Sequence, residues 1–214
     1  MYENILFEKK DGVAYLTLNR PDRLNALNSA VLKELDDALA AIDGDAEIRV
    51  LVVRGAGEKA LAAGADITEM QSMEAEAGMA FGAFGQKVFA KIEALRQPSI
   101  AMIPGFALGG GCELALACDI RIASEKARFG QPEVGLGITA GFGGTQRLPR
   151  LVGRGAASLL LFSGNMIDAA EALRIGLVDK IVPHDALAAE VSALAEGIAR
   201  QARCAVQQTK RCIR

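Results

Sequence analysis

The sequence predicts an α/β fold, because segments of strand length alternate with segments of helical periodicity along most of the chain. Short apolar runs such as Val50–Val53 recur, and between them lie longer segments such as Asn28–Ile42, whose apolar residues are three and four apart. The 23 glycines among 214 residues are typical of packed helices joined to strands by tight turns. This alternation predicts a mostly parallel sheet with crossover helices.

Apolar residues predict several strands along the chain. In Val13–Leu18 the apolar side chains alternate between two faces, whereas the continuous run Val50–Val53 indicates a strand that is buried on both faces. The remaining strands are predicted at Ser99–Ile103, Asp119–Ala123 and Leu177–Val182.

Helical periodicity is clear in the first half of the chain at Asn28–Ile42 and Phe81–Leu95. The first of these helices follows Asn28 and Ser29, either of which is a suitable N-cap because its side-chain oxygen can accept from a free backbone N–H. We therefore expect crossover helices between the predicted strands in this part of the chain.

The end of the chain is predicted to be helical from about Asp168, so we expect a main domain over residues 1–165 and a helical C-terminal segment over residues 166–214. Short amphipathic helices need a surface that buries their apolar stripe. We therefore expect that the functional polypeptide continues beyond Arg214 or that a neighbouring subunit covers these helices. The stripes are Leu187, Val191, Leu194, Ala195 and Ile198 within Ala186–Ala199, and then Ala205, Val206, Thr209 and Ile213.

Charge and hydropathy argue against nucleic-acid and membrane partners. The 24 basic and 26 acidic residues give a formal net charge of -2, and they are spread along the chain without a basic patch. No apolar run approaches the roughly 20 residues that span a bilayer, and the N-terminus has no apolar signal region. The sequence therefore predicts a cytoplasmic location or an equivalent soluble compartment.

The cysteines show no pattern of a metal site or a disulfide framework. Cys112, Cys118, Cys204 and Cys212 have neither CxxC spacing nor histidine neighbours, since His184 is the only histidine. We expect buried, reduced thiols and no metal ion.

A glycine-rich turn before a helical pattern is the first segment that could carry chemistry. In Gly105–Ala117, Gly109–Gly111 precede a helix whose first turn contains Glu113. Free N–H groups at a helix start suit an oxygen atom that gains negative charge. Alternatively, the glycines only allow close packing and Glu113 complements the helix dipole.

Two further loops could contribute to the same site. Small side chains in Leu61–Ile67 can expose bare backbone, although an ordinary loop with Asp66 as helix cap explains the segment equally well. In Phe129–Gly137, Glu133 follows a proline, and a solvated loop carboxylate is the alternative. If Glu113 and Glu133 converge, they could act as the acid and base that hydration of a double bond requires.

Two other enzyme classes are poorly supported. Gly55–Ala60 fits the dinucleotide pattern GxGxxG/A, yet no helix pattern follows it until about Asp66. A nucleophilic triad would need His184, and the chain contains no GxSxG elbow. We therefore expect neither a nicotinamide enzyme nor a serine hydrolase, and we interpret His184 as a surface turn residue.

Taken in order, these segments resemble the enoyl-CoA hydratase/isomerase (crotonase) family over roughly residues 12–183. The resemblance implies a spiral of repeated ββα units with a helical C-terminal segment, assembled as a homotrimer or a dimer of trimers. It also implies an acyl-CoA thioester substrate and no cofactor besides the coenzyme A of that substrate. The segments that carry the resemblance are Asn19–Leu27, Ala62–Ile67, Gly105–Asp119, Gly130–Gly137 and Gly141–Leu148.

The resemblance also assigns expected roles to particular residues. Backbone N–H groups of Ala65 and Gly110 would form an oxyanion hole for the thioester carbonyl, and Glu113 and Glu133 would be the catalytic carboxylates. Further residues would line the site for the acyl-CoA, namely Arg23, Leu24, Ala26, Ala63, Asp66, Ile67, Gly109, Pro132 and Gly141.

The presence of both glutamates favours a hydratase. Such an enzyme is a lyase of fatty acid β-oxidation, and it adds water syn to a 2-enoyl-CoA or catalyses the reverse dehydration. The alternatives are a double-bond isomerase or another enzyme of this fold, which hosts several reactions, and a non-catalytic member that binds CoA esters. The sequence departs from the usual family pattern at Leu61, Thr139 and Ala140, and in its shorter length.

Overall fold

The structure is a computed structural model that describes residues 2–213. Its strands fall into two sheets, a six-stranded sheet in the order 1-2-3-5-7-10 and a four-stranded sheet in the order 4-6-8-9. The strands are β1 (Ile5–Lys10), β2 (Val13–Leu18), β3 (Val50–Gly55), β4 (Ala60–Ala63), β5 (Ser99–Ile103), β6 (Phe106–Leu108), β7 (Ile120–Ser124), β8 (Arg128–Gly130), β9 (Met166–Asp168) and β10 (Lys180–Val182).

The helices connect and cover these sheets. Asn28 caps the first helix by accepting from the N–H of Val31 at 2.9 Å, as its sequence predicts. The helices are α1 (Ser29–Gly44), α2 (Ile67–Met70), α3 (Ala75–Ala94), α4 (Gly110–Ala117), α5 (Gly144–Ser163, kinked at Gly153), α6 (Ala169–Arg174), α7 (Leu187–Ala199) and α8 (Arg203–Ile213).

The middle of the chain repeats one ββα pattern. In β3-β4, β5-β6 and β7-β8, the first strand joins the large sheet and the second joins the small sheet, and helices follow each pair. Neighbouring repeats pair in parallel, while β1 with β2 and β8 with β9 are antiparallel. The predicted α/β fold of repeated ββα units is confirmed.

Periodicity predicts the mostly parallel sheet but does not reveal the second, smaller sheet. Its strands β4, β6, β8 and β9 have only three or four residues each. A strand this short shows too few alternations to be distinguished from a loop. These short strands place the small-residue loops side by side.

Two apolar clusters bury the large sheet from its two faces. The larger one packs α1, α3 and α4 against residues such as Leu16, Leu51 and Val53. The smaller one packs α7 against the opposite face, where Val13 and Val52 meet it. The C-terminal helix α7 therefore covers the main sheet directly, and the predicted domain boundary at residue 165 falls between α5 and β9. That division into two parts stays a prediction.

Candidate active site

Three loops meet at Gly109, the residue before α4. Gly109 has φ 49°, and a side chain on it would lie 2.9 Å from Oε1 of Glu133 and 3.6 Å from Cα of Gly64. Its N–H donates to the carbonyl of Gly130 at 2.9 Å. Glycine is needed here because any side chain would occupy the space where the three loops converge. The small-residue loop, the glycine turn and the loop of Glu133 thus form one site.

Two backbone N–H groups, without an acceptor in the described part of the chain, follow the residues of this junction. Ala65 precedes α2, and Gly110 is the first residue of α4. Neither of their N–H groups donates to another residue within 2–213. The neighbouring N–H of Asp66 is instead used, since it donates to the carbonyl of Leu27 at 2.8 Å. Gly64 and Gly109, the residues that precede Ala65 and Gly110, are in contact, and the oxyanion hole expected of the two N–H groups stays a prediction.

Glu113 is an almost completely buried carboxylate at 1% exposure. Its Oε1 accepts from the N–H of Phe142 at 2.8 Å and from the N–H of Gly144 at 2.7 Å. The pKa of Glu113 is raised to about 7, because burial and the charge of Glu133 raise it more than these two N–H groups and Arg147 lower it. The side chain is therefore placed to exchange a proton near neutral pH.

Glu133 lies in a 3-10 helix, Pro132–Leu136, and burial also raises the pKa of its side chain. With its amide nitrogen turned toward Glu133, the buried Gln131 donates to both carboxylate oxygens at 3.0 and 3.1 Å. Pro132 begins this 3-10 helix and fixes its first turn. The site therefore holds two carboxylates, and the charge of Glu133 raises the pKa of Glu113.

The segment before α1 packs beside the small-residue loop, as the resemblance implies. Backbone hydrogen bonds join Leu24 to Ala63 and Leu27 to Gly64 on either side of Ala26. Arg23 is exposed and makes no ion pair within residues 2–213. The substrate contact expected of Arg23, Leu24 and Ala26 stays a prediction.

Asp66 has structural partners that account for its side chain. It accepts from the N–H of Thr68 at 3.1 Å as the cap of α2, and Arg20 forms an ion pair with it at 2.8 Å. The helix-cap interpretation of Asp66 is therefore correct. Ile67, the next residue, is 49% exposed and is free to contact a ligand. The substrate contact predicted for both residues remains untested.

Sequence reasoning missed three partners of the glutamates. Gln131 contacts Glu133, and Phe142 and Gly144 hold Glu113 with backbone N–H groups. Gly141 was predicted as a binding residue, and its carbonyl accepts from Gln86 at 2.8 Å. The only signal for these partners was their position in glycine-rich segments that follow or contain a glutamate. Backbone donors leave no side-chain signature in a sequence.

The thiols only partly match the prediction. Cys112 and Cys118 are buried, and burial raises the pKa of each thiol to about 12. The prediction is wrong for Cys204 and Cys212, which are exposed because the inward face of α8 carries Lys210 instead. All four are free thiols. Within residues 2–213, no cluster of three or more His, Cys, Asp or Glu side chains could hold a metal ion.

His184 does not form a nucleophilic site. It starts a 3-10 helix, as expected for a turn residue, but it is half-buried rather than fully exposed. Its Nδ1 lies 3.0 Å from Oγ of Ser124, which also accepts from the N–H of Lys126. Ser124 has no exposed surface, so a substrate cannot reach its hydroxyl. The GxGxxG-like turn ends β3 and leads into β4, so it opens no helix.

A family profile described as Enoyl-CoA hydratase/isomerase matches residues 8–214. The chain belongs to this family. The crotonyl-CoA hydratase of Syntrophomonas wolfei is 53% identical to it over 209 residues, which cover 98% of this chain and 80% of the relative. The short-chain-enoyl-CoA hydratase of Clostridium acetobutylicum is 54% identical over 210 residues, with the same two coverages.

Solved structures of the family show the same fold. The enoyl-CoA hydratase from Bacillus anthracis matches this chain with a TM-score of 0.96 at 43% identity, and the match covers 99% of this chain and 82% of that one. The predicted crotonase-family membership and fold are therefore confirmed. None of the helices within residues 2–213 combines the length and hydropathy needed to cross a bilayer.

Proposed function

We propose that the protein is an enoyl-CoA hydratase, which adds water across the double bond of a 2-enoyl-CoA or removes it from the 3-hydroxyacyl-CoA. The observation that carries this proposal is the pair of partly or fully buried carboxylates beside two free N–H groups. Relatives more than half identical to this chain bear hydratase names. Coenzyme A enters as part of the substrate, and no further cofactor is invoked.

The N–H groups of Ala65 and Gly110 would bind the thioester oxygen. When water attacks C3, negative charge moves through the conjugated system to that oxygen, and fixed donors stabilise it more in the transition state than in the substrate. The start of α4 adds the positive end of its helix dipole. This arrangement lowers the barrier to forming an enolate-like intermediate.

The two glutamates would move the protons. One carboxylate accepts a proton from the attacking water while the other carboxylic acid donates a proton to C2, so one of them must start ionised and the other protonated. Two neighbouring carboxyl groups with raised pKa values favour sharing of a single proton, because a second ionisation places like charges together. A water molecule between them would place both new bonds on one face of the alkene.

An activity assay with crotonyl-CoA tests this proposal through loss of the enoyl thioester absorbance. Glu113→Gln and Glu133→Gln should each lower kcat by about 10² to 10⁴-fold, the usual contribution of one general acid or base. Binding of the CoA ester should change little. Full turnover in either variant would contradict the two-carboxylate mechanism.

The alternatives predict different results in the same experiment. A double-bond isomerase would convert a 3-enoyl-CoA to the 2-enoyl isomer and leave crotonyl-CoA unhydrated. A non-catalytic member would bind the CoA ester without turnover. The presence of both glutamates in one site favours the hydratase over either alternative. The cytoplasmic location and the homotrimer or dimer of trimers that the sequence predicts are also proposals.

A further inference from the structure

Arg147 reaches from α5 back to the loop that holds Glu113. Its Nη1 donates to the carbonyl oxygen of Phe142 at 2.7 Å, and its Nη2 bonds Oε2 of Glu93 at 2.6 Å. The side chain is only 14% exposed, and its Nε is buried without a partner. Removing a guanidinium from water costs free energy unless it is paired and hydrogen-bonded. The position of Arg147 beside the site therefore needs an explanation.

The peptide of Phe142 is held from both sides. Its N–H donates to Glu113, and its carbonyl accepts from Arg147. The next residue, Gly143, has φ 105°, and a Cβ there would lie 2.3 Å from Nη1 of Arg147. The guanidinium therefore packs on a bare stretch of backbone between the two N–H groups that bind Glu113. Arg147 thus contacts the backbone that carries both donors.

Helix α3 anchors both parts of this arrangement. Glu93 of α3 pairs with Arg147, and the ring of Phe142 packs edge-on against Phe81 and Phe89 with centroids 5.2 and 5.5 Å away. Helix α3 thus fixes the loop through an apolar contact and through a charge. Both contacts lead to Phe142, whose N–H donates to Glu113.

We propose that the Arg147–Glu93 ion pair is a positioning device, which holds the N–H groups of Phe142 and Gly144 where they orient Glu113 for proton transfer. Arg147 itself does not touch the substrate. The inference rests on the proposed function, since it gives Glu113 a proton to move. The charged groups that act on Glu113 are Glu133, which opposes its ionisation, and Arg147, which favours it. Loss of the cation should therefore raise the pKa of Glu113.

Arg147→Met tests this inference, and Arg150→Met is the matched control. Arg150 lies on the same helix but is exposed, and its guanidinium bonds only Gln146. The experiment measures kcat and KM for crotonyl-CoA across pH, and it follows Glu113 by carbon-13 NMR of carboxyl-labelled glutamate. The Glu113→Gln variant identifies the signal of Glu113 in the NMR spectrum.

Arg147→Met should lower kcat by roughly 10 to 100-fold, the effect of misplacing a reacting group by about 1 Å, with little change in KM. The Glu113 titration and the pH profile of kcat should both move to higher pH. Arg150→Met should match the wild type in all three measurements. An ion pair that only stabilises the fold would lower the melting temperature and leave kcat and the titration unchanged, and that result would overturn the proposal.

Arg147→Lys decides the question if Arg147→Met does not fold. Lysine keeps the charge but lacks the planar fork that reaches Phe142 and Glu93 together, so kcat should fall several-fold while the Glu113 titration stays near that of the wild type. Unchanged kcat in this variant would overturn the proposal. If the wild type fails to hydrate crotonyl-CoA, the proposed function fails, while the NMR titrations of Arg147→Met and Arg147→Lys still show whether Arg147 acts on Glu113.

Discussion

At the scale of single residues, Glu113 shows how hydrogen bonds partly offset the effect of burial on the pKa of a carboxyl group. The Glu113 carboxylate loses its hydration on burial. Two backbone N–H groups and the guanidinium of Arg147 offset part of the free energy that this loss costs. Together these effects leave the pKa of Glu113 at about 7, so the group can gain and lose a proton near neutral pH. A group tuned in this way is expected to reduce the stability of the folded protein whenever it is ionised.

Glu113→Gln should therefore stabilise the protein above neutral pH. A pKa raised from 4.5 to about 7 means that the folded state binds more protons than the unfolded state between these values, so stability falls as pH rises through this window. The penalty present above pH 7 is up to about 3 kcal/mol, and glutamine removes it. Denaturant unfolding should show a gain at pH 8 and almost none at pH 4. An equal gain at both pH values would contradict the raised pKa.

A substitution at Gly111 can test how closely α4 approaches β4. A Cβ on Gly111 would lie 2.0 Å from the carbonyl oxygen of Ala62, which is rigid backbone. Gly111→Ala should lower the free energy of unfolding by about 1 to 3 kcal/mol, because it overpacks the junction. Gly197→Ala is the control, since nothing lies within 4 Å of its Cβ position in α7. It should raise stability by about 1 kcal/mol through helix propensity.

At the scale of elements, the last helix is held by a polar contact rather than by an apolar stripe. Lys210 is the buried residue of α8, and it donates to the carbonyl of Gln97 at 2.9 Å and to Asp119 at 2.6 Å. Asp119 also accepts from Ser99. Ile213, part of the apolar face predicted for this helix, is 81% exposed in the single chain, and its burial by a neighbouring subunit or by further chain stays a prediction. Helical periodicity could not reveal that a lysine faces inward, since the carboxylate it meets is 91 residues away.

Lys210→Met should loosen α8 without unfolding the sheets. Removing one partner of a largely buried ion pair leaves the other charge uncompensated, which typically costs several kcal/mol. Hydrogen exchange measured by mass spectrometry should become faster in Arg203–Ile213 and stay slow in β3 and β5. The exposed Arg211 provides the control, and Arg211→Met should leave exchange unchanged. Unchanged protection of α8 in Lys210→Met would exclude this anchor.

At the scale of the whole molecule, large apolar side chains remain exposed along α5 and β9. Leu159 is 74% exposed, Phe162 is 77% exposed and Met166 is 55% exposed. They lie close together in sequence, at the end of a helix and in the edge strand that follows it. Large apolar side chains that are exposed in a group commonly mark a protein interface. This exposure agrees with the homo-oligomer that the family resemblance implies.

Phe162→Glu should therefore weaken self-association. A charge placed in an apolar interface must lose its hydration without gaining a partner, so the assembled form is destabilised. Light scattering should report a trimer or a dimer of trimers for the wild type and a smaller species for the variant. Met79→Glu places the same charge at an equally exposed methionine on α3, and it should leave assembly unchanged. A monomeric wild type would refute the predicted oligomer.

The sequence by itself determined the family, the α/β alternation and the principal candidate residues. Strands such as Val13–Leu18 and helices such as α1 could be predicted because their periodicity extends over several residues. Glu113 and Glu133 stood out because each lies in a glycine-punctuated segment of the family pattern. These signals are local, so they survive without knowledge of what each segment contacts.

Only the tertiary structure decided which groups surround these residues. The short strands of the second sheet bring Gly64, Gly109 and Glu133 together, and the backbone of Phe142 and Gly144 reaches Glu113 from 29 and 31 residues away. Arg147 and Lys210 likewise acquire their partners across long separations. The physical reason is that periodicity reports which face of a segment is buried, whereas desolvation, hydrogen bonding and ion pairing depend on distant atoms that only the folded chain brings together.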